Sequence, residues 1–138
     1  MKSSLLYVSQ KTMLWPYDAA DVAAITEVAR ARNAELAVTG ALISTRANFA
    51  QMLEGPVSAI EALMDSIGRD PRHREVRVVA TGPIARRQFA TWGLAYAGPS
   101  TYVAAALEPL LAEDASAYDI RLLMRLMREF ARKYGGKV

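Results

Sequence analysis

Apolar residues alternate with a period of two from Leu5 to Ser9, with Leu5, Tyr7 and Ser9 on one side and Leu6 and Val8 on the other. That alternation predicts a first strand. A polar stretch comes next, and Asp18 with Asp21 reads as a capped helix start, after which Val22, Ile25, Val28 and Ala29 recur at helical spacing to about Arg32. Asn33 then falls near the carboxyl end of the first helix. Residues 38 to 56 read as two short strands joined by a polar turn, and a second helix opens at Pro56 with Ile60, Leu63, Met64 and Ile67 as its stripe, ending at Gly68. A fourth strand over Val76, Val78 and Val79 comes after an Asp-Pro turn and breaks at Gly82-Pro83. A fifth runs from Phe89 to Tyr96, with Phe89 and Thr91 opposite Ala90 and Trp92.

This order, β-α-β-β-α-β-β with right-handed crossovers, predicts an α+β fold. It is a ferredoxin-like, mixed five-stranded sheet with two helices on one face and an added last strand. In that topology the first and third strands lie side by side, so Tyr7 and Gln51 become neighbours on the helix-covered face. Gly98-Pro99-Ser100 marks the internal boundary, dividing a domain over 1–97 from a helical extension over 98–138. The extension reads as a short helix from Tyr102 disturbed by Pro109, then a longer one capped by Ser116 and Asp119 and ending at Gly135-Gly136. The longer helix has Ile120, Leu123, Met124, Met127, Phe130, Ala131 and Tyr134 as an apolar stripe and Arg121, Arg125, Arg128 and Arg132 on another face.

Composition narrows the chemistry. At 138 residues and 52% hydrophobic, the chain builds one domain with a core. No run approaches the roughly 18 consecutive apolar residues of a membrane span, and Met1 to Val8 is a poor signal peptide, so a cytoplasmic location is expected. Without cysteine, and with one histidine, neither a thiol nucleophile nor a metal centre is expected. The 17 basic residues are interspersed with 14 acidic ones, which permits nucleic-acid binding without indicating it.

The odd residue is Gln51, a neutral amide between Phe49 and Leu53 on one strand face. Left unpaired in a core it costs on the order of 1–3 kcal/mol, so it needs a partner from protein, water or ligand. Several segments occur together in order: Leu-Leu-Tyr-Val-Ser at 5–9, Asn33 before Val-Thr-Gly at 38–40, and Phe-Ala-Gln-Met-Leu-Glu-Gly-Pro at 49–56. Asp-Pro-Arg-His at 70–73 and Arg-Gln-Phe-Ala-Thr-Trp at 87–92 complete the set. With these motifs the chain resembles the BLUF family of flavin-binding blue-light receptors over about residues 4 to 96.

That resemblance implies noncovalent FAD, or FMN or riboflavin, held between the two helices. It implies Tyr7 as electron and proton donor and Gln51 as the switch bridging the phenol and the flavin ring. Asn33 is implied to hold a polar ring edge, Ile25, Leu42 and Ile67 to flank the ring, and Arg72 and His73 to serve the pocket mouth. Trp92 and Leu94 are implied as signal relay, Leu94 standing where the family commonly has methionine, and Arg32 where it often has a second asparagine. The expected function is a photoreceptor without enzymatic turnover that signals to an effector protein in trans and forms a homo-oligomer, with no membrane or direct nucleic-acid role. The competing reading is a flavin-free ferredoxin-like protein-interaction module, against which the trio Tyr7, Asn33 and Gln51 argues. An acyl-phosphate hydrolase or RNA reader on this fold lacks its phosphate-cradling loop or its stacking aromatics.

Overall fold

A computed structural model describes residues 2–12, 19–112 and 115–132. The strands are β1 (Lys2–Lys11), β2 (Thr39–Ser44), β3 (Asn48–Pro56), β4 (His73–Pro83) and β5 (Trp92–Ala97). The helices are α1 (Ala19–Glu35), α2 (Val57–Arg69), α3 (Thr101–Leu107) and α4 (Ala117–Phe130), with a 3-10 turn over Glu108–Leu111. The sheet order is β4-β1-β3-β2-β5, antiparallel except for the parallel β2–β5 pair. The expected α+β, ferredoxin-like arrangement with its added strand is the one observed.

Period two sorts the strand residues onto two faces. Leu5, Tyr7, Leu42, Phe49, Leu53 and Trp92 pack with Val22, Ala29, Ile60, Leu63 and Ile67 of α1 and α2. Leu6, Val8, Ile43, Ala50 and Met52 pack instead with Val103, Leu107, Leu110, Leu123 and Met127, so the C-terminal helices cover the opposite face. Ser116 and Asp119 form the expected reciprocal cap of α4, and Pro109 converts the end of α3 into the 3-10 turn. The predicted cap residue Asp18 and the helix end at Tyr134 to Gly136 lie outside the described residues.

Two expectations are corrected. Val28 is 66% exposed and is not part of the buried stripe of α1. The buried positions are Val22, Thr26, Ala29 and Asn33, a spacing of four, three and four, and the Thr26 hydroxyl is satisfied by donating to the Val22 carbonyl at 2.8 Å. The last strand begins at Trp92 rather than Phe89. The amides of Gln88 and Phe89 are taken by the buried Glu54 carboxylate at 2.9–3.0 Å, so they make no ladder with β2.

Two backbone details set the position of Asn33 and the approach of β2 to β3. After α1 the Val38 amide bonds to the Asn33 carbonyl and the Ala37 amide to the Ala34 carbonyl, a Schellman closure with Ala37 at φ +59°. That closure fixes Asn33 one turn from the helix end. Gly40 has φ +149°, and a Cβ there would lie 1.8 Å from the Met52 carbonyl oxygen, so β2 can approach β3 here only with glycine.

Candidate functional site

Strand register builds the site. Tyr7 of β1 stands opposite Gln51 of β3, Gln51 opposite Leu42 of β2, and Leu42 beside Leu94 of β5. This row crosses four strands on the face beneath α1 and α2. Gln51 donates from Nε2 to the Tyr7 hydroxyl oxygen at 2.5 Å, and Trp92 donates from Nε1 to Gln51 Oε1 at 2.9 Å. All three side chains are buried. An indole N–H is donor only, so Trp92 fixes which end of the amide faces it and leaves the NH2 group for the phenol. Trp92 therefore points into the site.

Burial pushes the Tyr7 phenol well above its ordinary range, the hydrogen bond from Gln51 partly opposing, so the side chain holds its proton at neutral pH. Beside it, His73 packs on Phe49 with centroids 4.7 Å apart and meets Tyr7 edge-on at 6.0 Å. His73 Nδ1 lies 2.8 Å from the Ser9 hydroxyl. Burial lowers the His73 pKa, and the nearby Arg72 charge adds to this while Asp70 opposes it. For Asp70, burial acts upward, but hydrogen bonds from Arg72 outweigh it and the pKa falls.

Tyr7, Gln51, Trp92, Ile25, Leu42, Ile67 and His73 all border one cavity between the sheet and the two helices. Seven residues far apart in sequence are thereby brought together. The cavity is narrow, about 40 Å³, against the roughly 300–1,000 Å³ of typical small-molecule sites, so it is too small as it stands for a three-ring ligand. Sequence reasoning assigned no site role to Arg32, Ser66 or Asp70, which also line it. For Arg32 the signal was adjacency to Asn33, and for Asp70 the turn that carries His73.

Asn33 is 1% exposed, and neither its Oδ1 nor its Nδ2 has a partner. Arg32 Nε is likewise buried and unpartnered. Orphaned amide atoms cost on the order of 1–3 kcal/mol, and these belong to the residue next to Arg32, whose side chain borders the cavity together with the polar Gln51, Ser66 and Asp70 and the apolar Ile25, Leu42 and Ile67. Those features fit a flat heterocycle with carbonyl and N–H groups on one edge and apolar faces, which is the chemistry of an isoalloxazine. Three expected residues stand apart from the cavity, and the first is Asn33, which is buried on α1 but is not among the lining residues. Arg72 is not among the lining residues, and its exposed guanidinium grips Asp70 through Nε and Nη2 at 3.0 Å. Leu94 packs on the same buried cluster as Trp92 without lining the cavity.

Known proteins resemble this chain in sequence and fold. The family described as sensors of blue-light using FAD, BLUF, matches residues 3–95. The photoactivated adenylate cyclase subunit beta of Euglena longa is 41% identical over 93 residues, 67% of this chain and 11% of that protein. The chain thus spans about a tenth of the length of the curated relatives it matches. The dark-state structure of BlrB, a BLUF protein, superposes with a TM-score of 0.75 at 32% identity, covering 93% of this chain and 96% of that one. Klebsiella pneumoniae BlrP1 with FMN and cyclic diGMP superposes with a TM-score of 0.67 at 29% identity, covering 97% of this chain and 36% of that one. With the Tyr7–Gln51–Trp92 row on its sheet and the family match spanning most of its length, the chain belongs to the BLUF family of flavin-using blue-light sensors.

Proposed function

We propose that this chain reads blue light through flavin seated against Asn33, Arg32 and Gln51, and passes the result to a partner protein in trans. The observation that carries the reading is the Gln51 amide, bonded at one end to an oxidisable phenol and at the other to a donor on the last strand. Bound flavin supplies the blue absorption and the electron acceptor that tyrosine oxidation requires. Tyr7 is the residue that gives up and regains an electron and its proton. Ile25, Leu42 and Ile67 hold the ring by contact, and His73 stiffens the Tyr7 side through Phe49 and Ser9.

The amide is the memory. Turning it by half a turn points Oε1 at the Tyr7 hydroxyl, which can donate, and Nε2 at Trp92, which can only donate. The turned amide therefore gives up the indole bond. Light is stored as the loss of a hydrogen bond to the first residue of β5, and Leu94 transmits the same disturbance along that strand. The sensory part is residues 1–97 and the output extension 98–138, supported by the packing of α3 and α4 on the back of the strands that carry the switch.

The test is the absorption spectrum of the flavin-loaded protein before and after blue illumination. The expected result is a red shift in light that reverses in darkness and disappears in Gln51→Leu and Tyr7→Phe. Bound flavin whose spectrum ignores light would exclude a working switch, and failure to bind flavin at all would leave the interaction module.

A further inference from the structure

On the far side of the sheet from Tyr7, a hollow of about 660 Å³ opens between β5 and α4. Its floor is made of small residues, Ala90, Gly93 and Ala95, and its wall of Arg125, Arg128 and Arg132. A second hollow of about 500 Å³ adjoins it, sharing Gln88, Arg125 and Arg128 and adding Arg121, Leu122 and Tyr118. Together they form a continuous groove along α4. All four arginines are exposed. Arg128 donates to the Gln88 side chain at 2.7 Å, whereas Arg121, Arg125 and Arg132 make no hydrogen bond or ion pair among the described residues. Among the described residues Glu129 is the one carboxylate lining either hollow.

The floor is also the segment that leaves the sensor. Gln88 and Phe89 are pinned through their amides by Glu54, three residues beyond Gln51 on β3, and Gly93 comes directly after Trp92. Arg87 reinforces the clamp by donating to the Glu54 and Ala37 carbonyls at 2.8 Å. An occupant resting on Ala90 and Gly93 touches the backbone that carries the Trp92 indole.

We propose that this groove docks an acidic segment of a partner protein, its carboxylates on Arg121, Arg125 and Arg132 and a large apolar side chain on the Ala90–Gly93–Ala95 floor. The proposal rests on the photoreceptor reading above and names where its signal leaves. Charge complementarity selects the occupant, because four guanidiniums face one carboxylate and a planar guanidinium pairs bidentately with a carboxylate. The concave apolar floor and the exposed Leu122 and Tyr118 favour a protein side chain over a nucleic-acid backbone, which gains nothing from them.

The experiment uses the full chain loaded with flavin and a peptide of repeated Glu-Glu-Leu-Leu blocks carrying a red-absorbing dye, so that the anisotropy reading does not excite the flavin. The expected result is salt-sensitive binding that differs between darkness and blue light. It should weaken at least about tenfold when Gln replaces Glu in the peptide, and equally in the double variant Arg121→Glu/Arg125→Glu. Three results overturn the proposal: peptide binding that is absent or indifferent to the variant, tighter binding of labelled oligothymidine, or light scattering in which the variant breaks a wild-type dimer into monomers. The absorption shift, recorded on the same samples, keeps the two ideas apart. A normal shift with no arginine-dependent binding sinks the groove alone, and a missing shift in the wild type sinks the photoreceptor reading.

Discussion

Alternate residues of the same strands build both faces of this sheet, yet the faces treat polarity differently. On the α3 and α4 side, Leu6, Val8, Ile43 and Met52 meet Leu107, Leu123 and Met127, and the buried carboxylate of Glu54 is satisfied by two backbone amides. On the α1 and α2 side, among the described residues, the buried side-chain atoms left without partners are Arg32 Nε and both amide atoms of Asn33. One face is organised for stability. The other keeps hydrogen-bonding capacity in reserve and accepts a cost for it, as sites that receive a polar ligand do. The unsatisfied atoms, more than the cavity volume, are what support placing the flavin on this face.

The comparison breaks most visibly by emptying the closed face. Leu123→Ala removes a fully buried side chain between α4 and the sheet, and the expected loss is about 2–5 kcal/mol of unfolding free energy in denaturant titration. Flavin absorption in the folded fraction should stay normal. A loss of flavin binding at unchanged stability would show that the two faces are not separable.

Asn33→Leu tests the open face with the opposite sign. In apoprotein the change removes two orphaned atoms, so stability should rise by about 1–3 kcal/mol or stay level. Flavin affinity, read by equilibrium dialysis, should fall by about tenfold or more as the ring-edge contacts vanish. A destabilised apoprotein would mean that the amide has a protein partner after all.

Trp92→Phe is a finer cut. It leaves Gln51 Oε1 without its donor, at a stability cost of about 1 kcal/mol, and frees the amide to turn. The dark state should already resemble the lit spectrum in part, and the light-induced shift should shrink. An unchanged dark spectrum and a full shift would show that the indole does not hold the amide.

How much of the molecule was legible in the sequence depends on the range of each interaction. The pairing of Tyr7 with Gln51 came from period two and the order of elements, because both strands are regular and neighbouring. The inward turn of Trp92 did not, since a strand beginning at Phe89 and one beginning at Trp92 predict different partners for the same indole. What decides between them is Glu54 capturing the amides of Gln88 and Phe89, a contact across more than thirty residues. Val28 was misplaced for a similar reason. Its spacing suits either edge of an apolar stripe, and only the positions of Asn33 and Thr26 on the buried side settle the rotation of α1. Arg87, to which the sequence assigned no structural role, ties three backbone and hydroxyl acceptors together. Such networks depend on tertiary placement and leave little trace in local pattern.

The smallest expected effect concerns pH and separates His73 from Asp70, its neighbour across the turn. Burial lowers the His73 pKa, so the folded protein carries the neutral ring while the unfolded chain takes up a proton below about pH 6.5. The unfolded state then binds more protons, and stability rises with pH through that window. His73 therefore adds no pH dependence above neutrality and weakens the fold as pH falls below about 6.5. Asp70 also has a lowered pKa, yet its effect starts only when unfolded carboxylates protonate, near pH 3.8. A series of thermal melts should show two separate declines, and His73→Gln should flatten the upper one while leaving the lower. Because the ring touches Phe49 and faces Tyr7, the dark recovery of the absorption shift should change in the same window as the upper decline. A recovery rate flat through pH 6.5, with the upper decline still present, would confine His73 to stability and detach it from the switch.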